Sequence, residues 1–82
     1  MKYKIIEIEW EDITLYAGQY TYSRVKEYGF KRIKTIGYLI QETKKYLKIS
    51  MGVEITEEEN IIDFLIIPKN NILKRRFIKW IQ

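Results

Sequence analysis

Residues 32–55 read RIKTIGYLIQETKKYLKISMGVEI, two alternating apolar runs separated by a polar break. Alternation with a period of two sends successive side chains to opposite faces of an extended chain, so this stretch predicts a β-hairpin and not a helix. Ile36, Tyr38 and Ile40 are expected on one face, with Leu47, Ile49, Met51, Val53 and Ile55 on the matching face of the return strand. Lys48, Ser50 and Glu54 then point away, and Thr43-Lys44-Lys45 forms the tip. Gly37 interrupts the first run, and inside a strand a glycine marks a bulge or a sharp bend of the kind that curls a small sheet over.

The flanking segments carry the pattern outward. YKIIEIEWE sets Ile6, Ile8 and Trp10 against Glu7, Glu9 and Glu11, which predicts a strand with one face buried. The segment 12–30 holds Tyr16, Tyr20, Tyr22, Tyr28 and Phe30 and fits either a short helix capped by Ser23 and ending at Gly29, or a strand over YTYSRV. Its aromatics are expected as core filler, with a pocket for a planar ligand as the alternative. TEEEN at 56–60 reads as a hairpin tip or, through Thr56 and Glu59, as one capped helical turn.

IIDFLII is apolar on both sides, with Ile62, Phe64 and Ile66 on one face and Ile61, Leu65 and Ile67 on the other. A two-faced apolar strand in so small a domain predicts that one side meets another subunit, and Ile61, Leu65 and Ile67 are the interface candidates. Read as part of a barrel, Ile66, Ile67 and Ile72 belong instead to its core. Pro68 stops the ladder and Lys69-Asn70-Asn71 is turn chemistry. The last segment is ambiguous. As a helix it gathers Leu73, Phe77, Trp80 and Ile81 on one face, and as a strand it puts Ile72, Ile78 and Trp80 on the side of Lys74 and Arg76; periodicity alone favours the helix.

At 82 residues the chain reads as one domain, 1–82, whose core buries only about 60–65% of the unfolded surface. It contains no Cys and no His, which excludes disulfides, zinc fingers and His-based catalysis and leaves oligomerisation as the route to extra stability. The carboxylate pairs Glu7/Glu9 and Glu9/Glu11 and the run Glu57–Glu59 fall on solvent faces or loop tips, without the desolvation that retunes a catalytic pKa. The chain is therefore expected to have no enzymatic activity, no cofactor and no metal site. No run approaches the ~20 apolar residues of a membrane span, and the apolar step near the N-terminus is too short for a signal-peptide core. Together with the absence of Cys, this predicts a soluble cytoplasmic protein with no membrane partner.

The net charge of +4 is divided into blocks: −1 over residues 1–30, +5 over 31–49, −5 over 50–63 and +5 over 64–82. Blocks of alternating sign can neutralise one another within the fold or between subunits stacked head to tail, as readily as they bind a polyanion.

The order of a bent Gly-containing strand, polar tip, alternating strand, charged loop, apolar strand, short turn and last strand resembles a small SH3-like or Sm-like β-barrel of about five strands. IGYLIQETKKYLKIS is similar to the first Sm motif and FLIIPKNNILKRRFI to the second, in which an Asn-Ile pair precedes the closing strand. The resemblance implies an all-β fold with residues 73–78 in a strand, against the periodicity, and leaves 79–82 open. A second likeness, to small bacteriophage and prophage proteins, rests on a pattern of Trp-x-Asp, Thr-Val-Gly-Trp-Leu-x-x-Glu and Ile-Pro-Lys-x-x-Ile. Trp10, Asp12, Thr35, Gly37, Glu42, Pro68 and Lys69 fall at its matching places.

In Sm proteins RNA bases sit on the loop between the second and third strands and on the turn before the last. The matching positions make Lys44, Lys45, Tyr46, Lys69, Asn70 and Asn71 the ligand-binding candidates here, although Lys-Lys-Tyr replaces the family's acidic and Asn residues at the first tip, and Pro-Lys its Arg-Gly at the turn. Lysines there can meet phosphates and Tyr46 can offer a stacking face. Arg76 is the candidate from the Lys74-Arg75-Arg76 run, since alternation cannot aim all three at one ligand. The competing structural reading is solvated tips, with the basic run paired to Glu57–Glu59 of the same or a neighbouring subunit. These features together predict a non-catalytic homo-oligomer holding an anionic nucleotide or nucleic acid, for which the phage likeness implies sequestration of a host immune signal in counter-defence. The alternative is a protein-interaction module: an inhibitor of a host defence protein, or a virion component.

Overall fold

A computed structural model describes residues 3–81. Five antiparallel strands make one sheet in the order β4-β3-β2-β1-β5, with β1 at Tyr3–Asp12, β2 at Lys31–Glu42, β3 at Tyr46–Glu54, β4 at Asn60–Pro68 and β5 at Ile72–Ile81. The fold is all-β, apart from one helical turn, α1 (Tyr22–Val25), and a 3₁₀ turn, Lys69–Asn71.

The sheet is rolled, and its connectivity shows why. β4 and β5 are its two outer edges, which in a flat sheet would lie about 19 Å apart across four inter-strand gaps. They are nevertheless joined by the three-residue turn Lys69–Asn71, so the edges must come together at that end. Gly37 permits the curl. A Cβ placed on it would lie 2.5 Å from the Ser50 carbonyl oxygen and 2.7 Å from Ile49 Cγ2, space that β3 itself occupies.

The core lies on the concave face. Ile6, Ile8 and Trp10 of β1, Leu47 and Ile49 of β3 and Ile67 of β4 are its buried side chains, with Ile33, Leu39 and Ile72 packed against them. The alternation expected of β1 is the one found. On β2 the parity is reversed as far as Leu39: Ile6 sits opposite Gly37, Ile8 opposite Thr35 and Trp10 opposite Ile33, so odd-numbered residues face the core and Ile36 lies exposed. Trp10 secures this register by donating its indole N–H to Thr35 Oγ1 at 3.0 Å. The register shift before Gln41 then turns Glu42 to the core-facing side.

β3 departs from simple alternation as well. Ser50, expected to face outward, is fully buried, its hydroxyl bonded to the carbonyls of Gly52 (2.6 Å) and Ile62 (2.7 Å). Met51 and Ile55, expected in the core, are exposed. The ladder to β4 keeps its register from Ser50–Phe64 to Gly52–Ile62, past Asp63, whose φ of 43° is left-handed.

TEEEN is a hairpin tip, with the Glu59 N–H bonded to the Thr56 carbonyl and a Glu59 φ of 34°. The last segment is strand through Ile81, so the helical periodicity is overruled by pairing of β5 with β1. Two register shifts in that ladder, beside Leu73 and Ile78, account for the apolar spacing that mimics a helix. Residues 13–30 leave the sheet as an exposed arm. Thr21, not Ser23, caps its single helical turn.

Candidate functional site

Two tight turns meet at one end of the rolled sheet. In the first, Thr43 folds the chain back: its amide donates to the Tyr46 carbonyl at 2.9 Å, while its hydroxyl oxygen accepts from the Lys45 and Tyr46 amides, each at 3.1 Å. Lys44 and Lys45 are thereby left pointing into solvent. Tyr46 is half-buried, its ring 5.6 Å from the Lys48 ammonium. The second turn begins at Lys69, whose amide donates to the Lys45 carbonyl at 2.8 Å. That bond brings two of the sequence-derived segments, 44–46 and 69–70, together.

The cations at this corner share one carboxylate. Arg75 grips Glu42 with both terminal nitrogens, at 3.0 and 3.2 Å, and the Lys69 ammonium lies 2.8 Å from Glu42 Oε2. Hydrogen bonds from Arg75 and then Lys69 hold the Glu42 carboxyl down at about 2, against an ordinary value of 4.5. Glu42 lies opposite Leu47, and Arg75 opposite Ile8, so both project from the concave face and their ion pair spans it.

Other candidates lie elsewhere. Arg76 projects from the convex face and pairs with Glu7 at 3.1 Å, so the arginine at the corner is Arg75. Strand parity allowed one of the two neighbours, and the register shift beside Leu73 decided which. Within the chain Arg75 and Arg76 therefore pair with Glu42 and Glu7, not with Glu57–Glu59. Asn71 is structural, its amide donating to the Glu11 carbonyl at 2.8 Å, while Asn70 is exposed. Of the interface candidates, Leu65 is exposed and Ile61 half-buried, but Ile67 is wholly within the chain's own core and has no surface to offer a partner. Ile66, which the barrel reading put in the core, is exposed.

The aromatics of 16–30 fill no core. Tyr16 and Tyr20 pack on Tyr28 at centroid distances of 4.7 and 5.4 Å, and the Tyr16 hydroxyl donates to the Gly29 carbonyl. The arm is thus ordered by its own side chains, while Ile13 and Leu15 are 82% and 86% exposed.

Among the described residues no three acidic, His or Cys side chains gather to hold a metal, and no helix is long and apolar enough to cross a membrane. Comparison with known proteins finds no family model, no curated protein and no solved structure that matches this chain.

Proposed function

We propose that this chain is a non-catalytic, self-assembling module that holds an anionic ligand, a nucleotide or nucleic-acid segment, where the Lys44–Lys45 tip meets the Lys69 turn. The observation that carries the reading is the bond from the Lys69 amide to the Lys45 carbonyl. It places Lys44, Lys45 and Lys69 on one rim, with Arg75 behind them, so the local charge stays positive after Glu42 is counted. A phosphate group arriving there meets several donors at once. The likeness to phage proteins gives such a binder a use in sequestering a host nucleotide signal.

Self-assembly is supported by what the chain leaves uncovered. β4 and β5 are open edges, and Phe64, Ile66, Phe77 and Trp80 on them are each more than half exposed. Asp63, Glu57 and Glu58 on the β4 side, and Lys74 and Lys79 on β5, make no ion pair among the described residues. Edges of matched length, apolar character and opposite sign suit head-to-tail stacking of copies.

The test is titration with a fluorescent single-stranded oligonucleotide at two salt concentrations. Lys44→Glu with Lys45→Glu should weaken binding at least tenfold and flatten its salt dependence. Unchanged affinity in that double variant would overturn the site. A protein-interaction reading is favoured by the exposed arm. Under it, Leu15→Lys would abolish capture of a partner while the lysine variants bind it normally.

A further inference from the structure

The concave face is not covered along its whole length. Beyond Arg75 it opens into a groove of about 270 Å³ lined by Lys4, Ile6, Arg75, Phe77 and Trp80. Ile6 is its buried floor. Phe77 and Trp80 stand edge to face, their centroids 6.1 Å apart, and both rings are about half exposed. The Lys4 ammonium lies 5.3 Å from the Trp80 ring centroid, and Arg75 lines the same groove.

This combination is chemically selective. Two aromatic surfaces in a small cleft favour a planar, π-bearing ligand, and two cations on the same cleft favour one that carries an anion. Arg75 spends one N–H of each terminal nitrogen on Glu42, and a guanidinium has five, so further donors remain for a second acceptor. A purely apolar partner seated here would desolvate Lys4 and the remaining N–H groups of Arg75 without satisfying them, whereas a phosphate accepts from both. The volume falls just below the roughly 300–1,000 Å³ of drug-sized ligand pockets, which suits a ligand of mononucleotide size.

We propose that the groove takes the base of a nucleoside monophosphate against Trp80 and Phe77, with its phosphate directed to Arg75 and on toward Lys69. The proposal rests on the anionic-ligand reading above and adds a part of the ligand that the basic rim alone does not recognise. The groove selects mononucleotides over inorganic anions, and Trp80 is the residue through which it does so.

Calorimetric titration of the intact protein with AMP, adenosine and inorganic phosphate tests this. AMP should bind at least about tenfold tighter than inorganic phosphate, in line with the stacking contribution of one base. Trp80→Ala should remove that advantage and leave phosphate binding unchanged. Trp80→Leu, which keeps an apolar side chain on the edge strand but has no π face, should do the same, so a folding defect in the alanine variant does not decide the matter. AMP binding no tighter than phosphate, or equal AMP affinity in Trp80→Leu, overturns the groove while leaving the basic rim standing. Binding of AMP that needs Trp80, together with oligonucleotide binding that ignores Lys44→Glu and Lys45→Glu, sustains the groove and overturns the rim. Binding of neither AMP nor phosphate overturns the groove, and the oligonucleotide titration then decides the rim by itself.

Discussion

β1 and β4 are both rich in isoleucine, yet they have opposite fates. In β1 the core-facing side chains Ile6, Ile8 and Trp10 are buried, because the strand is paired on both sides by β2 and β5 and its glutamates answer Lys34, Arg32 and Arg76 on the other face. In β4 only Ile67 is buried, although the run IIDFLII is the more apolar of the two. The difference is position in the strand order. An edge strand on a small rolled sheet has no second neighbour, so its apolar side chains stay exposed however many there are.

The contrast is broken most sharply by truncating one isoleucine on each strand. Ile8→Ala should cost about 2–5 kcal/mol, because the side chain is fully enclosed and the cavity cannot collapse across a rolled sheet. Ile66→Ala on β4 should change the stability of the single chain by no more than about 0.5 kcal/mol. Urea unfolding at low protein concentration measures both, and equal losses would mean that the β4 face is covered within the chain.

A smaller effect sharpens the comparison at the level of backbone. Gly37→Ala forces a methyl group into space held by Ser50 and Ile49 and should cost about 1–3 kcal/mol, the usual penalty of overpacking. Gly52→Ala meets no atom within 4 Å and should be close to neutral. The midpoints of the two denaturation curves check the pair directly.

The smallest effect concerns the ion pair that spans the concave face. The folded Glu42 carboxyl is held at about 2 against 4.5, so its contribution is complete above pH 4.5 and is lost as pH falls toward 2. Arg75→Gln removes the principal cause. The stability gap between wild type and this variant should therefore be constant above pH 4.5 and close as the pH approaches 2. Because Glu42 is about a third exposed, the gap should be below about 1 kcal/mol. A gap that widens on acidification would assign the effect of Arg75 to something other than this carboxylate.

Much of the fold was legible in the sequence, for a physical reason. The β1 alternation, the hairpin tip at Thr43–Lys45 and the bend at Gly37 are local features, each decided within a few residues. The parity of β2, the burial of Ser50 and the strand at 73–81 were not legible, because each depends on a register shift or on a partner distant in sequence. The site followed the same division. Lys44, Lys45 and Lys69 were nominated from two turns, whereas Glu42 and Arg75 are joined across 33 residues and depend on a parity set by the β5 irregularity. The aromatics of the arm carried no local signal that they would stack on one another instead of entering the core.

The strand order also bears on the time course of folding. β2, β3 and β4 each pair with the strand before them in the chain, but the second ladder of β1 waits for β5, which links Tyr3 to Ile81. During synthesis the first strand is therefore a bare edge until the fifth has been made, and the ladder between them joins residues nearly the whole chain apart. Folding dominated by such non-local pairing takes roughly milliseconds to seconds. A ribosome stalled before β5 would display β1 with one side unpaired, beside the core side chains Ile6, Ile8 and Trp10.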